Sequence, residues 1–303
     1  MIHQNPSSPT LALGTWALAG EAPWGYGPCS GAQARETVSA ALAAGCGLDT
    51  AGLFAGGRVE EQLGQMTVGR DDVTFTTRVG CRMAHGHPQA AFAPENIRAD
   101  VAAAGERLGR VPDRILLHTP SIAVLRDGQA VAELVKLRDR GRVREVGVSV
   151  FDPEEGLIAL KQGIDWICIP YNLVNRKAEK RLFPAAVSAG VRIQAREVLH
   201  NGMLTEHPRD LSTLTEFDVR REWPAYVLER LTRARERIGR GLPDMTVEQA
   251  AIGFALGRSE VSSVVVGCRG AGHVRRNLVN PSPVTGDRRR GLLDALYSPS
   301  GGG

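Results

Sequence analysis

The sequence has no apolar run that is long enough to cross a membrane. Its longest apolar stretches fall well short of the roughly 18 residues that a membrane-spanning helix needs. The first ten residues, MIHQNPSSPT, are polar, which argues against a secretory signal. We therefore expect a cytoplasmic protein that does not bind membranes.

Cysteines are few and widely separated. The five of them, Cys29, Cys46, Cys81, Cys168 and Cys268, form neither a disulfide framework nor the close pairs of a metal site. Scattered thiols in a chain of this length are typical of a reducing compartment. The sequence therefore predicts free cysteines and no bound metal.

Aromatic residues and excess charge are also scarce. Aromatics make up 5% of the 303 residues, and the formal net charge is only +4, with basic and acidic residues interleaved. No basic helix alternates with stacking aromatics, so nothing indicates nucleic-acid binding. The 43% of hydrophobic residues is ordinary for a globular enzyme. We expect a small-molecule substrate as partner and a monomer or homodimer.

Short apolar segments alternate with longer helical patterns along the chain. The predicted strands are residues 11–16, 46–50, 73–79, 114–119, 143–150, 166–170, 191–196 and 262–267. The predicted helices are residues 32–44, 58–66, 94–108, 123–140, 154–162, 177–189, 222–238, 246–258 and 271–279. Apolar strands of this kind are buried on both faces, as in parallel sheets.

This alternation predicts an α/β fold, a (β/α)8 TIM barrel that forms a single domain over residues 1–303 with a flexible tail from about residue 290. A doubly wound open sheet is the alternative. It would be favoured by a GxGxxG motif after the first strand, but the sequence there is LGTWALAG.

Polar residues stand at the carboxyl ends of the predicted strands. They are Asp49, Arg78, His118, Ser149, Asn172, Arg196, Glu197 and Arg269. Because TIM barrels carry their chemistry at that end of the strands, we expect these side chains to surround one site.

Several distributed segments resemble the aldo-keto reductases, in the order that the family has them. They are LGTWALAG, GLDTAGLFAGGRVEEQLG, TTRVG, ILLHTP, RGRVREVGVSVF, IPYNLVNR and VVVGCRGAGHVRRNL. The resemblance extends over nearly the whole chain. It implies a TIM barrel and NADPH-dependent carbonyl reduction by an Asp, Tyr, Lys and His tetrad.

By this resemblance, only two of the four tetrad positions hold the family's residue in this chain. Asp49 and His118 match the family's Asp and His, whereas Phe54 stands at the tyrosine position and Arg78 at the lysine position. Phenylalanine has no proton to give. Arginine keeps the positive charge, but it does not titrate near neutral pH. The family's usual acid is therefore missing.

The positions that resemble the family's nicotinamide site also differ. Ser149 is kept, but Val150 and Cys168 replace an Asn and a Gln, and Arg196 replaces the aromatic residue on which the ring stacks. Val and Cys cannot make the same hydrogen bonds. A cation is a poor platform for the oxidised ring, which is itself positive.

The last helical segment resembles the family's adenosine site. Asn277 is kept, whereas His273 and Arg276 replace an Arg or Gln and a Glu. Arg269, Arg275 and Arg276 could still hold a phosphate. The resemblance therefore leaves two possibilities, no cofactor or NADP(H).

Substitutions concentrated at the functional end lead us to expect rebuilt, non-redox acid–base chemistry on a carbonyl-bearing small molecule, as in a lyase, dehydratase, isomerase or cyclase of specialised metabolism. His118 is the candidate acid or base, because its reference pKa lies near neutral pH. Arg78, oriented by Asp49, is a candidate oxyanion stabiliser. Glu197 is a second acid or base, or the ion-pair partner of Arg196.

Two other functions stay open. One is an NADP(H)-dependent reductase in which His118 or Tyr26 supplies the proton. The other is a catalytically silent barrel that binds or regulates. In each case Trp16, Trp24 and Tyr26 are expected to wall the pocket, with Cys168 at its inner end.

Overall fold

The centre of the molecule is a closed barrel of parallel strands. The computed structural model describes residues 9–20, 25–208, 210–216 and 218–297. The barrel strands are β1 (Thr10–Gly14), β2 (Gly47–Asp49), β3 (Phe75–Val79), β6 (Arg114–His118), β7 (Glu145–Ser149), β8 (Trp166–Pro170), β9 (Arg192–Arg196) and β10 (Val261–Gly267). Their order around the barrel is β1-β10-β9-β8-β7-β6-β3-β2, so the first and last strands close it. The predicted (β/α)8 fold is confirmed, and the open-sheet alternative is excluded.

Helices follow the strands and cover the barrel. They are α1 (Gly31–Ala43), α2 (Arg58–Met66), α3 (Pro94–Leu108), α4 (Ile122–Asp127), α5 (Gln129–Asp139), α6 (Pro153–Ala159), α7 (Leu182–Ser188), α8 (Ala225–Gly241), α9 (Val247–Leu256), α10 (Ala271–Asn277) and α11 (Gly286–Tyr297). Capping boxes begin α6 at Asp152 and α9 at Thr246. Within the described ranges, no helix combines the length and apolarity that a membrane crossing requires.

Charged and aromatic side chains fill the barrel at its amino end. The Trp166 ring lies between two guanidinium groups, with the Cζ of Arg114 3.9 Å and that of Arg192 4.3 Å from its centroid. Its Nε1 donates to Glu145 Oε2 at 2.7 Å, and Arg114 Nε donates to the same carboxylate at 3.0 Å. Each of the four is the first residue of its strand. This cluster leaves the carboxyl end of the strands for the site.

One predicted helix is divided in the structure. Residues 123–140 form α4 and α5, which meet at Gly128. Gly128 has a φ of 74°, a left-handed conformation that glycine adopts without a steric penalty. A helix cannot continue through such a residue, so the chain changes direction there.

Two elements were not predicted from the sequence. An antiparallel hairpin follows β3, made of β4 (Cys81–Ala84) and β5 (His87–Ala90). The second element is α11, where the sequence predicted a flexible tail from about residue 290. The buried side chains of Leu292 and Leu296 correct that prediction as far as Tyr297. The helix packs against α8, which explains why an Arg-rich segment is ordered.

Packing of α11 is testable through Leu292, which is fully buried. We expect Leu292→Ala to lower the free energy of unfolding by about 2–4 kcal/mol, because the truncation leaves a cavity in a packed interface. Urea unfolding measures the change. Val187→Ala, at a site that is 59% exposed, is the control and should change stability by less than about 0.5 kcal/mol. Equal effects of the two substitutions would contradict the docking of α11.

Candidate active site

Seven of the eight polar residues predicted at the strand ends line one cavity, whereas Asn172 does not line it and donates instead to Glu197 O at 2.9 Å. Asp49, His118, Ser149 and Arg196 are the last residues of β2, β6, β7 and β9, and Arg78 is the penultimate residue of β3. All five line a cavity of about 1430 Å³. The parallel barrel brings them together because the carboxyl ends of its strands share one rim.

Asp49 and Arg78 form a bidentate ion pair at the base of this cavity. Nη1 donates to Asp49 Oδ1 at 2.7 Å and Nη2 donates to Oδ2 at 3.1 Å, and both side chains are about 5% exposed. Nη1 also donates to Thr50 O at 2.9 Å and Nη2 to Cys168 Sγ at 3.3 Å. The four N–H groups of the terminal nitrogens are therefore engaged. Arg78 therefore offers a ligand its positive charge more than a free N–H group of these two nitrogens.

His118 is held in its neutral form. Burial of the ring, followed by the Arg78 and Arg196 cations, lowers the pKa of His118 to about 3. Its Nδ1 is buried and has no hydrogen-bond partner in the part of the chain that the structure describes. A neutral imidazole still carries one N–H donor. His118 can therefore donate a hydrogen bond into the cavity at neutral pH.

A row of aromatic rings forms the wall beside His118. The Phe54 ring lies edge-on to the His118 ring, with centroids 6.3 Å apart, and stacks with Trp16 at 6.2 Å. Trp16 in turn contacts Tyr26 at 4.7 Å. All of these residues line the cavity, whereas Trp24 lies outside the described residues. The wall is apolar where Phe54 faces the imidazole.

The Tyr26 hydroxyl is committed to a neighbouring loop. It donates to Asn201 Oδ1 at 2.6 Å. Burial, followed by the Glu197 carboxylate, raises the pKa of Tyr26 far above its usual value. Two rings separate Tyr26 from His118 along the wall, which makes Tyr26 the weaker candidate for a proton donor.

Arg196 and Glu197 form a second ion pair on the cavity wall. Arg196 Nη1 donates to Glu197 Oε1, and Nη2 donates to Val150 O at 3.0 Å. The Phe151 ring lies 4.2 Å from the guanidinium carbon. Of the two interpretations of Glu197 given by the sequence, the geometry favours the ion-pair partner. Glu197 has a positive φ of 56°, which turns the chain sharply after β9.

Two further polar residues, Cys168 and His200, lie behind the wall of the cavity. Cys168 is fully buried against Arg78, and burial raises the pKa of its thiol. The sequence predicted Cys168 at the inner end of the pocket, but its thiol contacts Arg78 instead. His200 packs edge-on against Trp223, and its Nδ1 lies 3.3 Å from Asn172 Nδ2. Neither Cys168 nor His200 lines the cavity that the described residues form.

The cavity continues to the segment that follows β10. Arg269, His273 and Asn277 line this end, together with Arg276. Arg269 Nη1 donates to Tyr26 O at 2.8 Å and Nη2 donates to Pro28 O, so this arginine ties the first loop down. Asn277 is 7% exposed, and its Oδ1 lacks a hydrogen-bond partner among the described residues. The far end of the cavity is therefore polar and positively charged.

Several lining residues were missed by the sequence analysis. Met83 and Pro88 of the β4–β5 hairpin form part of the wall. His85 and Gly86 at its tip both have positive φ, so the pair was a weak turn signal. Arg220 was missed as well. Its guanidinium pairs with Asp218, donates to Asn201 O and lies over the Tyr26 ring, but no motif marks it.

Comparison with known proteins gives a consistent set of relatives. The model of the aldo/keto reductase family matches residues 10–280. The chain is 25% identical to an NADH-specific methylglyoxal reductase of Escherichia coli, over 94% of this chain and 95% of that protein. Over 76% of both chains it is 26% identical to an oxidoreductase of Bacillus subtilis, YqkF.

Solved structures agree with these relatives. The glycerol dehydrogenase AKR11B4 from Gluconobacter oxydans superposes with a TM-score of 0.80 at 26% identity, covering 97% of this chain and 93% of the other. The holo form of the aldo-keto reductase AKR11C1 from Bacillus halodurans superposes at 0.78 and 23% identity, over 95% and 92% of the two chains. The second match shows a shared fold.

The neutral state of His118 predicts a pH-dependent stability. Below pH 6.5 the unfolded chain takes up a proton at this histidine, whereas the folded chain does so only near pH 3. Stability is therefore lost as the pH falls through 6.5. Relative to His118→Gln, the wild-type protein should lose about 2 kcal/mol between pH 8 and pH 5.

Urea unfolding at the two pH values measures this difference. His85→Gln, at an exposed position of the hairpin tip, is the matched control and should follow the wild-type protein. If His118→Gln shows the same pH dependence as the wild-type protein, His118 is not held neutral.

Proposed function

Because the chain belongs to the aldo/keto reductase family, we propose that it is an oxidoreductase that uses a nicotinamide dinucleotide to reduce the carbonyl group of a small molecule. The observation that carries the proposal is the single cavity from the charged rim to the segment after β10. Relatives named as a methylglyoxal reductase and a glycerol dehydrogenase support it. Both of these names describe redox enzymes, so the reductase alternative is preferred to the non-redox chemistry that the sequence suggested.

The far end of the cavity fits the adenosine half of such a cofactor. The buried Oδ1 of Asn277, unpartnered within the described residues, is an acceptor for an amino group such as that of adenine. Arg276 and His273 line the same end and suit phosphate oxygens. The volume of about 1430 Å³ also exceeds the roughly 300–1,000 Å³ of a usual small-molecule pocket. The cavity therefore has room for a dinucleotide beside a small substrate.

At the rim, Ser149 and Arg196 are the residues that would hold the nicotinamide. The cofactor supplies a hydride when it is bound. The protein must then stabilise and protonate the carbonyl oxygen as it gains negative charge. Arg78, fixed by Asp49, provides a permanent positive charge at the base of the cavity, where its side chain is about 5% exposed.

We infer that the neutral His118 donates its ring N–H proton to the carbonyl oxygen as that oxygen becomes an alkoxide. The imidazolate left behind is next to the Arg78 and Arg196 cations and regains its proton from water. Phe54 has no hydroxyl, and the Tyr26 hydroxyl is bound to Asn201. A neutral imidazole polarises a carbonyl in triosephosphate isomerase, where a helix terminus keeps that histidine uncharged. Here burial and two arginines produce the same neutral state. The adjoining rings of Phe54 and Trp16 suit an apolar part of the substrate.

Calorimetric titration with NADPH and with NADH tests the proposal. We expect at least one of them to bind, and Asn277→Leu to weaken that binding by about tenfold, because a buried hydrogen bond is lost. Gln65→Leu, on the exposed face of α2, is the control and should bind like the wild-type protein. Turnover of small aldehydes and ketones should consume the cofactor, followed by absorbance.

Two results would oppose this function. One is no binding of either dinucleotide at millimolar concentration. The other is turnover of a carbonyl substrate that leaves the cofactor unchanged, which would support the non-redox hypothesis instead.

A further inference from the structure

Arg196 ends the strand that adjoins β10 in the barrel. The adenosine end of the cavity follows β10, and the candidate proton donor His118 ends β6. From β10 the rim leads to β6 in two directions, past β9, β8 and β7 or past β1, β2 and β3. A flat group that takes the β9 side meets Arg196, which lines the cavity, before it reaches His118.

The guanidinium of Arg196 is held in place on this side of the rim. Its Nη2 donates to Val150 O, and the Phe151 ring stacks against it. Its Nε is buried and has no hydrogen-bond partner among the described residues. Its side chain is 13% exposed, against 22% for that of its partner Glu197, so the cation lies deeper than the carboxylate. The group is positioned to act on a ligand by charge.

The two oxidation states of a nicotinamide ring differ by one charge. The oxidised ring is a cation, whereas the reduced ring is neutral. A fixed guanidinium repels the first, while a neutral conjugated ring can stack on it. The Asp49–Arg78 pair also lines the rim, but there the carboxylate binds both terminal nitrogens of the guanidinium, whereas Glu197 binds only Nη1 of Arg196. The charge of Arg78 is therefore offset more fully and distinguishes the two states less than that of Arg196.

We propose that Arg196 makes this protein bind the reduced cofactor in preference to the oxidised cofactor. The inference rests on the proposed oxidoreductase function and adds to it which oxidation state of the cofactor the protein prefers. A protein that holds the reduced form more tightly is loaded with it from a mixed pool and releases the oxidised form readily, which suits turnover in the direction of carbonyl reduction. Arg196 is thus a specificity-determining residue for the oxidation state of the cofactor.

Glu197 moderates this effect. Its carboxylate binds Nη1 of Arg196 and offsets part of the positive charge. Neutralising Glu197 while keeping Arg196 should therefore strengthen the preference for the reduced form. Substitutions of the two partners have opposite effects on one measured ratio, and a general loss of structure would not produce that pattern.

The test is the ratio of dissociation constants for NADP⁺ and NADPH, measured by calorimetry at low ionic strength. NAD⁺ and NADH replace them if the wild-type protein binds only that pair. We expect Arg196→Met to lower the ratio by about tenfold, because the charge is lost. Arg196→Lys keeps the charge and should keep most of the preference. Glu197→Gln should raise the ratio.

Arg181→Met is the matched control, because it removes a positive charge that is 68% exposed and paired with Glu154 on the outer surface. It should leave the ratio unchanged. An unchanged ratio in both Arg196→Met and Glu197→Gln, with both cofactor forms still bound, overturns the inference and leaves the proposed function standing. Absence of binding by the wild-type protein overturns both. If Arg196→Met does not fold, the Glu197→Gln variant alone tests the inference. A higher ratio supports the inference, and an unchanged or lower ratio overturns it.

Discussion

The buried ion pair between Asp49 and Arg78 is the constraint on which the site depends. It joins β2 to β3 at the rim, with both side chains about 5% exposed, and uses the terminal N–H groups of the guanidinium. An unpaired charge at this depth would be strongly unfavourable, so neither residue can be changed alone without cost. The permanent cation also contributes to the neutral state of His118 and lies against the Cys168 thiol. The acid–base character of the rim follows from burial of the imidazole together with this cation and that of Arg196.

Much of the fold could be predicted because the barrel strands are buried on both faces and read as short apolar runs. Each predicted strand overlaps an observed one, within a few residues at its ends. The β4–β5 hairpin was not predicted because its residues are half exposed and show no clear alternation of buried and exposed positions. The helix at Gly286–Tyr297 escaped because its first turn is Arg-rich and only Leu292 and Leu296 reveal its buried face.

The sequence predicts which residues form the site better than it predicts the contacts that those residues make. Strand ends identify Asp49, Arg78, His118 and Arg196, because the topology of a parallel barrel gathers them. The side-chain geometry is set by neighbours from distant parts of the chain. The Tyr26 hydroxyl donates to Asn201, which is 175 residues away in the sequence, and Arg78 on β3 donates to Cys168 on β8. No local pattern in the sequence carries such information.

The sandwich of Trp166 between Arg114 and Arg192 has a consequence for how this scaffold can change. It fills the barrel at the end opposite the rim and shares no hydrogen bond with the Asp49–Arg78 pair among the described residues. Cys168, however, lies in one buried cluster with Trp166 and also accepts a hydrogen bond from Arg78. Groups that share a partner do not contribute to stability independently. A laboratory redesign of the rim can therefore keep the opposite end of the barrel intact only if it also keeps a side chain of the size of Cys168 between them.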